Sequence, residues 1–236
     1  MESAENLTEE SNLSYTWQNI IDWAQIHYRD RIFTKDEQIP SRPQLIYLVN
    51  CGAVRLIGQT HNSTAETVES SLDQSESDLI EESFLGFVGA ETPFEIVTQS
   101  TFSVNAYAHV DDTHVAWLYW HDLVNWPGFE KQLYEVFRYQ HQRKLLWLSA
   151  LGQRKTIDRL TSFLTLLVEE YGIEQQQHHC LPYALTHAQI GSAIGSTRVT
   201  VTRLMGKLRR QGIINVKSDN SICIDSFKLT QLNHNL

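Results

Sequence analysis

The chain has 236 residues, 42% of them hydrophobic, and a net charge of −9 from 19 Lys and Arg against 28 Asp and Glu; this length suits one large or two modest domains, each with its own core. No window approaches the run of about 20 apolar residues that a spanning helix needs, and Met1-Glu-Ser-Ala-Glu-Asn is too acidic to open a signal or transit peptide, so a cytoplasmic protein without a membrane partner is expected. Cys51, Cys180 and Cys223 are widely spaced and read as isolated buried thiols, not as a disulfide framework or a zinc ribbon, and the ten histidines contain no H-x-H or H-x-x-x-H pair, so no metal is expected.

Residues 1–28 begin as an acidic, polar tail. Trp17, Ile20, Ile21, Ala24 and Tyr28 then recur every three or four positions, which predicts a short amphipathic helix. From residue 29 to 126 the period shortens. Arg31-Ile-Phe-Thr, Leu45-Ile-Tyr-Leu-Val, Ala53-Val-Arg-Leu-Ile, Phe84-Leu-Gly-Phe-Val, Phe102 to Ala108 and His114-Val-Ala-Trp-Leu are short β-rich runs broken by Pro, Gly, Asn and Asp, the rhythm of a small all-β barrel. Asn50-Cys-Gly reads as a hairpin turn. Gln59 to Ser83 interrupts the rhythm with Ser, Thr, Glu and Asp, and is expected to be an acidic excursion, either disordered or a hairpin extension.

Asn125-Trp-Pro-Gly closes the β region, and Pro127 suits the first turn of a helix. Residues 127–152 form a long helix with its hinge at Gly152. Phe129, Leu133, Val136, Phe137, Trp147, Leu148 and Leu151 supply an apolar seam fit to join domains and to pair with a second copy. Ile157, Leu160, Phe163, Leu164, Leu167 and Tyr171 mark the next helix, which opens the last domain, 153–236.

Charge divides unevenly along the chain. After Cys180 there are seven Lys and Arg against two acids, and before Leu181 twelve against 26. A basic module following an acidic one points to a polyanion partner for the tail.

Leu185-Thr-His-Ala-Gln-Ile-Gly has the marks of a helix start: Thr186 caps, Gln189 reaches back from the third position, and Leu185 packs on Ile190. Gly195 ends that helix, and Ser196 or Thr197 caps the next. Val199-Thr-Val-Thr would be a strand by local preference. A strand, however, would have two mixed faces, whereas a helix gathers Val201, Leu204 and Leu208 into one stripe. Burying three such side chains is worth about 1.5 to 3 kcal/mol each, against at most ~0.7 kcal/mol of helix propensity per β-branched residue, so helix is predicted. Two short helices joined at a glycine, with arginines near the start of the second, form a helix-turn-helix. Gly212 to Lys217 and Ser221 to Ile224 then read as a wing.

This order of elements resembles the Crp/Fnr superfamily of bacterial transcription regulators over about residues 30 to 225. Gly195-Ser-Thr-Arg-Val-Thr-Val-Thr-Arg-Leu is similar to the recognition helix of the cyanobacterial nitrogen-control regulators. The resemblance implies an α+β protein: an N-terminal cupin-like, cyclic-nucleotide-binding-like β-barrel, a dimerisation helix and a C-terminal winged helix-turn-helix. It further implies a homodimer on double-stranded DNA, a palindromic GTA…TAC operator, and RNA polymerase as partner. Arg198 and Arg203 would read base edges, and Val199 would meet a thymine methyl. Thr186, Gln189, Thr197, Thr200 and Lys217 would lie along the phosphates, and Thr202 and Lys207 would also belong to the DNA-binding set. In the effector pocket that the resemblance implies at Gly86, Phe87, Val88, Asn105 and Gln140, Phe87 stands in place of the acid that holds ribose and Asn105 in place of the arginine that holds phosphate. Cyclic AMP is therefore not expected. The nitrogen-control branch binds 2-oxoglutarate, which stays open here although Gln140 replaces an arginine of the long helix. No cofactor is expected. Two other classes also stay open: a metal-dependent cupin-type enzyme, for which His109 and His114 are five apart and on opposite faces of a strand, and an effectorless protein-interaction module tethered to DNA.

Overall fold

The computed structural model describes residues 17–60, 81–99 and 101–233, and the chain divides into two compact units, Met1–Arg138 and Tyr139–Leu236. Most of the expected acidic tail and residues 61–80 of the expected excursion lie outside the described residues.

The first unit opens with α1 (17–26), followed by β1 (Asp30–Phe33), β2 (Gln38–Ile39), β3 (Leu45–Cys51), β4 (Ala53–Thr60), β5 (Glu81–Gly89), β6 (Thr92–Phe94), β7 (Phe102–Ala108) and β8 (Thr113–Tyr119). The strands form two antiparallel four-stranded sheets, ordered β1-β8-β3-β6 and β2-β7-β4-β5. Their inner faces meet in one core, in which Leu45, Tyr47, Val49 and Val115 face Val54, Leu56, Val88, Ala106 and Ala108. Ile46, Leu48, Ala116 and Leu118, on the other side of the first sheet, are buried with Trp17, Ile20, Ile21 and Ala24 of α1. Burial on both faces is why Leu45-Ile-Tyr-Leu-Val is continuously apolar instead of alternating. Tyr28 does not join the α1 seam: it follows the helix and is 91% exposed.

Of two expectations about turns, the first is corrected and the second, in its hairpin-extension form, is met at the ends of the segment. Asn50-Cys-Gly is not a hairpin, because β3 and β4 belong to different sheets and the chain turns a corner there. The ends of the expected excursion are strand: Gln59 and Thr60 pair with Glu82 and Glu81, so β4 and β5 form a long ladder toward residues 61–80.

Helix α2 (Pro127–Leu151) supplies its first half to one unit and its second half to the other. Phe129 and Leu133 are buried against α1 and the first sheet. Further on, Trp147 packs on Phe163 with ring centroids 5.2 Å apart, and Arg143 donates to Glu169, to Glu170 and to the carbonyl of Leu166 at 2.9 to 3.2 Å. Leu148, expected in the same seam, is 64% exposed.

The second unit continues with α3 (Thr156–Tyr171), β9 (Ile173–Gln175), β10 (His178–Cys180), α4 (His187–Ile194), α5 (Arg198–Arg210), β11 (Asn215–Val216), β12 (Ile222–Asp225) and α6 (Ser226–Asn233). Its strands form one antiparallel sheet, β11-β12-β10-β9, with β12 and β10 at the centre. The cysteines are not isolated thiols. Cys180 and Cys223 face each other across these central strands and are joined by a disulfide, while Cys51 is exposed and free.

Candidate nucleic-acid interface

Each helix of the helix-turn-helix starts where its cap dictates. The Thr186 hydroxyl oxygen accepts from the Gln189 amide at 3.1 Å, and Gln189 Oε1 accepts from the Thr186 amide at 2.9 Å. Two donors left over at the start of α4 are thus satisfied reciprocally, with Leu185 and Ile190 both buried beside them. Gly195 ends α4 in the left-handed conformation, with φ 61° and ψ 54°. The chain then folds back so closely that the Ser196 amide donates to the Gly191 carbonyl at 2.8 Å. A Cβ on Gly191 would sit 2.6 Å from the Ser196 carbonyl oxygen; only glycine fits under this turn. Thr197 caps α5, its hydroxyl oxygen accepting from the Thr200 amide at 3.2 Å.

Val199-Thr-Val-Thr is therefore helical. The buried stripe is Val201, Met205 and Leu208; Leu204, expected in it, is half-buried, and Met205 one position on faces the core. Outside the stripe, Arg198, Val199, Arg203 and Lys207 are exposed, Val199 by 78%. Arg209 and Arg210 extend this surface. Neither stands in the set expected from sequence, although Lys207-Leu-Arg-Arg carries the signal, a dense run of positive charge. Among the described residues none of these five cations is in an ion pair, since every salt bridge involves Arg29, Arg31, Arg55, His114, His121, Arg138 or Arg143.

Thr202 couples the two helices. Its hydroxyl donates to the Arg198 carbonyl at 2.9 Å, so its oxygen is left to accept from His187 Nδ1, 2.8 Å away at the first turn of α4. His187, absent from the sequence-predicted set, thus holds α4 against α5.

The wing is a tight hairpin. Asn215 and Val216 pair with Cys223 and Ile222, and Asn220 turns the chain with φ 65°. Asp219 accepts from the amide and hydroxyl of Ser221 at 2.9 and 2.5 Å. These bonds, the hydroxyl's foremost, hold the Asp219 carboxyl below its ordinary pKa. Lys217, expected along a phosphate, donates its ammonium to Gln175 Oε1 on β9.

Within the first unit, the residues expected around an effector do not share one face. Val88 points into the barrel core, whereas its neighbour Phe87 faces the other way and packs on Phe84 and His109 at centroid distances of 5.1 and 4.6 Å. Gly86 adjoins Phe87 with φ 127°. The Asn105 carboxamide donates to Gln59 at 2.8 Å and accepts from Gln38 at 3.2 Å, so it belongs to a chain of side-chain amides across the sheet. Gln140 lies in the other unit. The two histidines of the cupin-type reading belong to different segments. His109 follows β7, and His114, on β8, bonds Asp30 and Asn50 at 2.7 and 3.0 Å. They do not share a strand, and no group of three potential metal ligands occurs among the described residues. No helix among those residues is long and apolar enough to cross a membrane.

Residues 158–231 match the Crp-like helix-turn-helix domain family. The global nitrogen regulator of Synechococcus elongatus is 36% identical over 86 residues, covering 36% of this chain and 39% of that protein. That of Nostoc is 39% identical over 71 residues, covering 30% and 32%. The chain thus spans between about a third and two fifths of the length of these curated relatives. FixK2 from Bradyrhizobium japonicum is 21% identical with a TM-score of 0.62, covering 86% of this chain and 96% of that one. A cyclic nucleotide-binding domain containing protein from Listeria monocytogenes reaches a TM-score of 0.68 at 14% identity, covering 90% and 98%. These two share the fold over both units.

Proposed function

We propose that this chain, which carries a Crp-like helix-turn-helix domain on the fold of the Crp/Fnr regulators, is a homodimeric, sequence-specific DNA-binding transcription regulator and not an enzyme. The observation that carries the reading is the exposed surface of α5: five cations with no ion pair among the described residues, beside an exposed valine, on a helix anchored by Val201, Met205 and Leu208. Arg198 and Arg203 read base edges, Arg198 as a bidentate donor to guanine O6 and N7, and Val199 meets a thymine methyl. Thr197, Thr200, Lys207 and the start of α4 at Thr186 and Gln189 follow the phosphates.

The exposed stripe of α2 supports dimerisation. Tyr134, Leu145 and Leu148 are each more than half exposed. They recur at intervals of 11 and 3 residues, which keeps them on one side of the helix. In this arrangement 29–126 is the sensor barrel, 127–152 the dimerisation helix and 153–236 the reading domain. The two-fold axis sets the operator as a palindrome of the GTA…TAC kind with half-sites about 34 Å apart; RNA polymerase is the protein partner of the bound dimer.

For the barrel we propose that cyclic AMP is not the effector. The positions that would hold its ribose and phosphate carry Phe87, stacked on other rings, and Asn105, bonded at both ends of its carboxamide. A dicarboxylate such as 2-oxoglutarate is the small molecule to test first.

The experiment is selection of bound duplexes from a random pool by the full chain, with sedimentation of the complex. A two-fold symmetric consensus bound by two copies is the expected result. An asymmetric consensus, a monomeric complex, or no enrichment overturns the proposal.

A further inference from the structure

We propose that Cys180 and Cys223 form a reversible redox latch on the reading domain, opened by a dithiol. The inference rests on the DNA-binding reading for its consequence, but on the sheet for its chemistry.

The two residues are register partners on antiparallel strands. The Leu181 amide donates to the Ile222 carbonyl at 2.8 Å, so the next pair along, Cys180 and Cys223, is of the non-hydrogen-bonded kind. In that kind of pair the strands approach most closely and facing side chains lie nearest; the Cα atoms here are 4.0 Å apart. The bond joins residues 43 apart, and the loop it closes contains α4, α5 and β11. The whole reading helix and the first strand of the wing are thus held within one covalent ring.

Two further observations make this pair a switch and not an inert staple. A DNA-binding domain works beside DNA, in compartments whose thiol pools keep disulfides rare, and those that do form there are usually transient and redox-sensing. Both cysteines also line a cavity of about 340 Å³, together with Gln175, Gln176, Asn215 and Lys217. That cavity gives a reductant an approach to sulfurs that are otherwise buried. It is also bordered by the wing lysine, so what happens at the sulfurs is felt at the surface facing DNA.

The exchange balances without another reactant. A thiolate of the dithiol attacks one protein sulfur, forming a mixed disulfide and releasing the other sulfur as a thiolate that takes up a proton. The second thiol of the reductant then displaces the remaining protein sulfur. Two electrons pass to the protein, which gains two thiols, and the reductant leaves as a disulfide. Two unbonded sulfurs need a van der Waals separation, so β10 and β12 move apart at their centre, and β11 with Lys217 moves with β12.

The test uses the full chain with dithiothreitol as the dithiol and a GTA…TAC palindrome as the DNA. Alkylation after unfolding, read by mass spectrometry, is expected to label Cys51 alone before reduction and all three cysteines after it. Operator Kd is expected to rise about tenfold on reduction, because the wing is no longer preorganised. The Cys180→Ala, Cys223→Ala double variant should match the reduced protein and ignore dithiothreitol. Three labels without reductant, or equal Kd in both redox states, overturns the latch. If neither state binds DNA, the DNA reading fails, and the latch is judged on the thermal midpoint: a fall of about 10 °C on reduction supports it and an unchanged midpoint overturns it.

Discussion

Arginines about the sheets of the first unit and those of α5 have opposite fates. In the barrel, Arg29 is held by Asp122, Arg31 by Glu37 and Arg55 by Asp36, and the Arg55 hydrogen bond keeps the Asp36 carboxyl below its ordinary pKa. Arg29 and Arg55 also lie over aromatic rings, those of Trp23 and Tyr107, at 5.0 and 5.1 Å. On α5 no carboxylate among the described residues answers Arg198, Arg203, Lys207, Arg209 or Arg210. Clustered like charges repel and raise the free energy of the isolated fold. The same cluster draws a polyanion, and a cation already neutralised by its own chain does not. The difference teaches where to look for an interface in a chain of net negative charge: not at its cations, but at those its own acids leave alone.

The comparison breaks most readily from beneath. Leu208→Ala removes a fully buried member of the stripe behind the cations and should cost about 2 to 5 kcal/mol of stability in denaturant unfolding; a loss under about 1 kcal/mol would mean α5 is not anchored as described. Arg198→Ala should cost about 1 to 3 kcal/mol of operator binding and relax discrimination at one base pair, whereas Arg55→Met, in the neutralised set, should leave affinity untouched. Equal losses from the two would erase the distinction. Lys217→Ala should weaken binding to all duplexes alike and lower the slope of log affinity against log salt by about one; an unchanged slope would assign Lys217 to Gln175 alone. The smallest effect is at the wing turn. Asp219 titrates below its ordinary value, so its contribution is in full above about pH 4 and fades as pH falls through the lowered pKa. The Ser221 amide resonance, followed by NMR, should show a midpoint under about 4; one above it removes the turn's carboxylate bond from the account.

The order of elements was legible because local signals agreed with one another. Caps at Thr186 and Thr197, the break at Gly195 and the apolar spacing of α5 all point to the same two helices. What was illegible depended on partners distant in sequence. Choosing between Leu204 and Met205 for the buried stripe requires knowing where α4 packs, since both are apolar and only 100° apart on the helix. Nothing near Cys180 announces Cys223, because the pairing is created by the register of β10 on β12. Asn50-Cys-Gly has the composition of a hairpin turn, and only the separation of the sheets reveals a corner. At Phe87 and Asn105 the residue types were informative about what is missing, but the faces they occupy follow from the alternation of β5 and β7 about a core that the sequence alone does not locate.

Gly191 has a consequence for anyone wishing to retarget this protein. If, as proposed, the outer positions of α5 carry letters and the buried ones carry weight, the angle at which the text is presented is set one helix earlier, where a missing methyl lets Ser196 lie flat on the chain. Alanine there would act as a shim, tilting every outward side chain at once. Libraries that vary Arg198, Val199 and Arg203 should therefore leave that glycine alone, and a tilted reader, altered at Gly191 by itself, would miss its old address without having lost a single base-reading group.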